Sequence, residues 1–381
     1  MQNNGLLFRL IAVQVFIHAC MTGMRMAAPL MALRQGYSAI AVGVLMALFA
    51  LTQVFLSVPA GRFADRNTLK RPVVLSIACA TFGAGLAAVW PTFPSLCLAA
   101  LLAGGAAGSA LIALQRHVGR MATNPTEIKQ VFSWLAIGPS FSNFIGPFAA
   151  GLMIDYGGFQ AAFALMAALP LISWWLVRGA PELKSPTLPK EGESGGSWDL
   201  LAEPKLRRLL LVNWILASCW DVHTFVVPLL GHERGLSASV IGLILGSFAV
   251  AATVIRLALP IVAARLQEWA VIMGAMLVTA LLLAVYPLLQ SALLMGCFSI
   301  LLGFSLGVVQ PMIMSTLHQI TPPHRHGEAL GLRMMSINAS SVLMPMMFGS
   351  AGAAVGVTAV FWTVGALVGV GSRLAWAMRR G

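Results

Sequence analysis

Residues 39–90 read AIAVGVLMALFALTQVFLSVPA, then GRFADRNTLKR, then PVVLSIACATFGAGLAAVW. The outer pieces, Ala39 to Ala60 and Pro72 to Trp90, contain no charged residue. About 20 apolar residues in a helix cover the ~30 Å hydrocarbon core of a bilayer, so each piece is long enough to cross it once. Neither alternates with a period of two, which argues against barrel strands, and lipid offers open backbone no hydrogen bonds. The stretch between them carries Arg62, Asp65, Arg66, Lys70 and Arg71. Residues 39–90 therefore read as a membrane-spanning helical hairpin with a charged turn.

The rest of the chain has the same character. Of 381 residues, 59% are hydrophobic and 9% charged, with mean hydropathy +0.86. Soluble domains carry about 25% charged residues, and a water-soluble fold could not cover this much apolar surface. Apolar runs of spanning length occur at about 7–33, 39–60, 72–90, 94–114, 130–154 and 158–177, and again at about 206–230, 239–259, 269–289, 292–317, 329–351 and 354–376. The fold class is an all-α integral membrane protein of about twelve transmembrane helices in two sets of six. Arg9 before an apolar stretch imitates a secretory signal, but Gln14, His18 and Arg25 interrupt it, so a first spanning helix is expected.

The expected division is an N-terminal half at 1–178, a linker at 179–205 and a C-terminal half at 206–381. The linker contains Lys184-Ser185-Pro186 and the run Lys190 to Gly196, too polar and flexible to pack. With the linker in the cytoplasm, alternating loops place Arg62, Arg66, Lys70, Arg71, Arg116, Arg120, Lys129, Arg265, Arg325, Arg373, Arg379 and Arg380 inside, and Arg34 and Arg234 outside. That asymmetry puts both termini in the cytoplasm. It also accounts for the net charge of +12: the basic residues form no stripe, and no nucleic-acid partner is expected. Cys20, Cys79, Cys97, Cys219 and Cys297 all lie in apolar runs without metal-ligand spacing, so buried reduced thiols and no metal are expected.

Sliding the chain along itself by 199 residues gives an ungapped match. Pro29 meets Pro228, Gly36 meets Gly235, Ser38 meets Ser237, Gly43 meets Gly242, Phe49 meets Phe248 and Gly108 meets Gly307. Parallel six-helix repeats of this kind are one of the architectures of secondary transporters, which place the solute near the midplane between the repeats.

Gly61-Arg62-Phe63-Ala64-Asp65-Arg66, followed by Lys70 and Arg71, resembles the signature loop of the major facilitator superfamily, and helix number and repeat extend the resemblance over the whole chain. The resemblance implies a cytoplasmic latch of Gly61, Asp65, Arg66, Lys70 and Arg71 that breaks and reforms during alternating access. Thr68 and Leu69 depart from the motif, and the second-half counterpart, Pro260 to Trp269, lacks the aspartate. In the fifth helix Gly146-Pro147-Phe148-Ala149-Ala150-Gly151 resembles an element of many proton antiporters of the superfamily, with Ala150 replacing a glycine. Gly146, Pro147 and Gly151 are expected to form a bend packed on a neighbouring helix. The fourth helix has no arginine in Ala99 to Gly108, unlike many such antiporters.

Charges inside hydrocarbon cost about 2.5 to 3.5 kcal/mol each on insertion scales and need a reason. Gln14, His18, Thr22 and Arg25 fall within about 80° of one another on the first helix. In the seventh helix, Ser218 and Asp221 follow helical spacing, with Trp214 and His223 nearby, and Asp221 is the carboxylate well inside a span. In the superfamily these two helices face each other, so Arg25 and Asp221 can pair, either as a fixed ion pair or as one that solute or proton breaks. His18 and His223 are further candidates for carrying protons. Arg116, Arg256 and Arg333 stand near helix ends, where snorkelling to head groups is expected.

The resulting expectation is proton-coupled efflux of a small amphipathic or organic solute by a monomer in the inner membrane. The alternative is organic-anion uptake by proton symport, with Arg25 binding the anion. No cofactor is expected. No nucleotide-binding loop or paired catalytic carboxylates occur, so neither ATP-driven transport nor an enzyme is expected. A non-transporting receptor is the remaining class, but it has no need of the charged pair.

Overall fold

The computed structural model describes residues 4–181, 197–236 and 238–380, so the linker run Lys190 to Gly196 and Ser237 of the repeat lie outside the described residues. The chain forms α1 (Asn4–Arg34), α2 (Ala39–Arg66), α3 (Lys70–Val89), α4 (Phe93–Met121), α5 (Pro125–Leu135) and α6 (Ile137–Arg178). After the linker come α7 (Pro204–Asp221), α8 (Val227–Glu233), α9 (Ala238–Val262), α10 (Glu268–Val285), α11 (Ala292–Gly307), α12 (Val309–Ile320), α13 (His326–Val355) and α14 (Val357–Ala377). Nine helical stretches among the described residues are long and apolar enough to cross a membrane. One of them, Pro125–Arg178, turns at Gly158 (φ 78°, ψ 179°) and so holds the fifth and sixth spans. With α7–α8 and α13, the expected twelve spans are all accounted for.

Three expected continuous spans are interrupted, each just upstream of a proline. Pro139 has no N–H to pair the Leu135 carbonyl, and the helix breaks at Ala136 between α5 and α6. Pro311 likewise deprives the Gly307 carbonyl, and the break falls at Val308 between α11 and α12. Pro228 is preceded by a π-helical turn, Val222–Val226, in which the Val227 N–H donates to the Val222 carbonyl five residues back. Pro147 lies inside α6, as Pro29 and Pro59 do in their helices.

The 199-residue repeat is visible in the geometry. Gly36 and Gly235 both have positive φ, 85° and 70°, where a side chain would be strained. The Tyr37 N–H donates to the Ala32 carbonyl at 3.1 Å, and the Leu236 N–H to the Gly231 carbonyl at 3.0 Å, the same helix ending 199 residues apart. Deeper in the helices, Gly104 lies against the Phe49 carbonyl, and Gly303 against the Phe248 carbonyl. In both pairs the contact is backbone to backbone.

The described residues form two compact units. The first contains Met1–Thr123, Ile137–Ser197 and Thr321–Asn338, and the second Asn124–Ala136, Trp198–Ile320 and Ala339–Gly381. Relative to the expected halves, α5 joins the second unit and the start of α13 the first. In the first unit α1 packs along α6: Gly146 meets the Ala19 carbonyl and Gly23, while the Ser173 hydroxyl donates to the Val13 carbonyl at 3.0 Å. In the second, Tyr286 stacks on Phe361 with ring centroids 5.3 Å apart. All five cysteines are free, but only Cys20 and Cys219 are buried; Cys297 is exposed, and Cys79 and Cys97 are half-buried. An apolar run does not reveal which of its faces looks outward, and the thiol of Cys297 is on an outward face.

These close approaches predict a stability pattern. Alanine gains about 1 kcal/mol of helix propensity over glycine. At Gly104 or Gly303, however, a Cβ would collide with a backbone carbonyl, whereas at Gly296 it would meet nothing within 4 Å. Gly104→Ala and Gly303→Ala should each lose about 1 to 3 kcal/mol, as overpacked cores do. Thermal unfolding in detergent checks this: both midpoints should fall while that of Gly296→Ala holds or rises, and three equal midpoints would contradict the packing.

Candidate functional site

The loop expected to act as a latch lies in the first unit. Gly61 packs against the Gly327 carbonyl so closely that a Cβ would not fit. That approach brings the end of α2 against the start of α13, where helical N–H groups lack intrahelical partners. Asp65 fills the need: Oδ1 accepts from the Gly327 N–H and Oδ2 from the Glu328 N–H, both at 2.9 Å. Arg116, from α4, donates through Nε to Asp65 Oδ1 at 2.6 Å and through Nη2 to its carbonyl at 3.1 Å. Around this buried pair, Glu328 lies 3.4 Å from Arg62 Nε and 2.6 Å from Arg325 Nη2. Arg66 and Arg71 are exposed, and Arg71 donates to Asn67 Oδ1 at 3.2 Å; neither they nor Lys70 form an ion pair among the described residues.

A related arrangement occurs in the second unit, where the sequence reading found no aspartate. Glu268 at the start of α10 supplies the carboxylate, 3.5 Å from Lys129 Nζ of α5. Its Oε1 also accepts from the Ser315 hydroxyl and the Gln319 amide, each at 3.0 Å, and Lys129 Nζ donates to the Leu266 carbonyl at 2.6 Å. Ser315 is the repeat partner of Arg116, and Lys129 that of Glu328. Glu268 lies four residues past the repeat position of Asp65, across a short non-helical step at the start of the next helix, so comparison at fixed register does not pair the two.

The α1 stripe divides. Thr22 is buried and donates to the Ser142 carbonyl at 2.9 Å, beside Gly146, so it belongs to the α1–α6 seam. Gln14 is buried against Gly138, and neither its amide nitrogen nor its oxygen has a hydrogen-bond partner among the described residues. His18 is half-buried and hydrogen-bonded by the Asn143 side chain, while Arg25 is exposed and paired with no carboxylate of its own unit. Gly151, from the fifth-helix element, touches Met26 of α1.

In the second unit the π turn organises the polar groups. Asp221 ends α7 immediately before it, buried, with Oδ2 accepting from the Ser340 hydroxyl at 3.2 Å and no cation of its own unit paired with it. Ser218 is turned back on Trp214, donating to its carbonyl at 3.0 Å, and Trp214 itself is half-buried. His223, fully buried, stacks on Phe248 with centroids 4.0 Å apart. Its Nε2 lies 2.9 Å from the Ser299 hydroxyl, which lies 2.8 Å from the Tyr286 hydroxyl. Tyr286 in turn donates to the Met295 carbonyl at 3.2 Å. Ser299 and Tyr286 were not singled out from the sequence; a tyrosine in an apolar run, whose buried hydroxyl needs a partner, was the available signal.

The three arginines expected at head groups are buried instead: Arg116 is 3%, Arg333 4% and Arg256 6% exposed. Arg116 is held by Asp65. Arg256 forms no ion pair among the described residues, and its guanidinium donates to the Gly307 carbonyl at 3.4 Å, the Ala136 carbonyl at 3.2 Å and Gln310 Oε1 at 3.3 Å. It also lies 5.6 Å from the Trp220 ring centroid. The Gly307 carbonyl is the one that Pro311 leaves without a helical donor, so Arg256 supplies a hydrogen bond that this break removes.

The chain resembles known transporters over its whole length. It is 24% identical over 354 residues to multidrug resistance protein 1 of Bacillus subtilis (strain 168), covering 89% of this chain and 88% of that one. Among solved structures, a bacterial homologue of the iron transporter ferroportin in an outward-facing state superposes with a TM-score of 0.80 at 15% identity, covering 99% of this chain and 100% of that one. The human organic anion transporter MFSD10 superposes with a TM-score of 0.76 at 18% identity, over 97% and 99% of the two chains. The family model of the Major Facilitator Superfamily matches residues 10–345 and 209–380, and with the twelve spans, the repeat and the Gly61-to-Arg71 loop this establishes that the chain is a member of that superfamily of membrane transporters.

Proposed function

We propose that this transporter exports a small amphipathic or organic solute in exchange for protons, acting as a monomer in the inner membrane. Its two halves, 1–178 and 206–381, rock about a central site, with the linker at 179–205 and both termini in the cytoplasm. The observation that carries the reading is Asp221. It is a buried carboxylate within a span, next to a π turn, with Ser340 and Ser341 and no cation of its own unit as partners. Such a group is inexpensive in hydrocarbon when protonated and costly when ionised, so each direction of the cycle favours a different protonation state. Arg25, one helical turn beyond Thr22, the residue of α1 that the repeat matches to Asp221, is the partner proposed for the ionised form. Export draws support from the name of the Bacillus relative and from the Gly146-to-Gly151 element.

Organic-anion uptake with Arg25 as the binding group is the second reading. It is favoured by Arg25, which pairs with no carboxylate of its own unit, and by Arg256, which forms no ion pair among the described residues. Thermal-shift screening of the purified protein against metabolites and drugs separates the two, because bound compounds raise apparent stability. Hydrophobic cations should give the shifts under the first reading and carboxylates under the second.

A double-mutant cycle tests the proposed coupling. Asp221 is buried and Arg25 exposed, so Asp221→Asn or Arg25→Gln alone should depress transport, and a dependence of one substitution's effect on the other measures their coupling. In the double variant proton-driven transport should stay lost. Additive effects, or full proton-driven transport by the double variant, would refute the coupling.

A further inference from the structure

Within the second unit, the start of α7 and the ends of α12 and α14 enclose a cavity of about 340 Å³ unrelated to the polar groups described above. Its wall combines Lys205 and Arg208 of α7 with Thr316 and Ile320 of α12 and Trp376 and Met378 at the end of α14. Lys205 and Arg208 are three residues apart in the first turns of α7 and so share a face. Among the described residues no carboxylate lines the cavity, and Glu203, which precedes α7, is exposed. Trp376 is 43% exposed.

We infer that this cavity holds the phosphate head group of an anionic phospholipid, with the glycerol backbone against Ile320 and Met378. Three features point to a lipid and not to a soluble anion. The cavity sits where three spanning helices end together, which is head-group depth, and the basic-residue asymmetry assigns these ends to the cytoplasmic leaflet, whose anionic lipids attract such clusters. An exposed tryptophan beside the cations is the amphipathic ring expected at a membrane interface. Finally, most of the wall is apolar, suited to a ligand that continues into the acyl region. The cations supply charge, and the Thr316 hydroxyl, which donates to the Met312 carbonyl at 3.0 Å, retains lone pairs that favour a glycerol hydroxyl beside the phosphate. The ligand class is therefore a phosphatidylglycerol-type lipid.

The test is native mass spectrometry of the full chain in detergent, loaded with phosphatidylglycerol or phosphatidylcholine of the same acyl chains. Wild type should retain phosphatidylglycerol roughly tenfold more than phosphatidylcholine, and Lys205→Gln with Arg208→Gln should abolish the preference. Ala377→Phe keeps both charges but fills the cavity, and it should lower retention of the anionic lipid as well. Inorganic phosphate should not displace the bound lipid. Equal retention of the two lipids by wild type, an undiminished preference in either variant, or displacement by inorganic phosphate would each overturn the assignment.

Discussion

Hydrocarbon provides no hydrogen bonds, so every backbone group that a helix end or break releases must find a partner within the protein. That constraint shapes both units. Where α11 ends at Gly307, the carbonyl that Pro311 deprives of its helical donor accepts from the Arg256 guanidinium. Where α13 begins, its first N–H groups are received by the Asp65 carboxylate. An arginine and an aspartate that would each be costly in lipid are stabilised by the helix termini they complete, and in a low dielectric such charge–dipole contacts are stronger than in water.

The repeat gives the constraint a mechanism. Asp65 with Arg116 in the first unit, and Glu268 with Ser315 and Lys129 in the second, each join the region between the second and third helices of one half to the start of the fifth helix of the other. The carboxylate is common to both, but the repeat-related partner is acidic in one, Glu328, and basic in the other, Lys129. The Asp65 site is the more buried and has the larger set of directed bonds. In the proposed cycle it is the contact that must yield before the cytoplasmic side can open.

Much of this was legible in the sequence because it rests on local composition. A run of about 20 apolar residues identifies a span wherever it occurs, and Gly36, Gly235, Phe49 and Phe248 held a 199-residue register that the helix endings and glycine contacts reproduce. The breaks were not legible. Pro139, Pro228 and Pro311 lie downstream of interruptions while Pro29, Pro59 and Pro147 lie inside helices, and tertiary partners such as Arg256 help to decide which freed carbonyl can be left open. Burial of Arg116, Arg256 and Arg333 was misjudged for the same reason: depth along a helix follows from sequence, but which face meets a neighbour does not. Thr22 illustrates it, lying on the polar stripe of α1 yet packed into the seam with α6.

The most direct measurement of the account compares binding with flux in Asp65→Asn. The amide keeps the size of the side chain but removes the charge that meets Arg116 and the start of α13. With a solute identified by thermal shift, the variant in proteoliposomes at matched protein content should bind it with unchanged affinity while flux under a pH gradient falls by roughly tenfold or more. Equal flux in wild type and variant would contradict a latch whose breaking and reforming is part of the cycle.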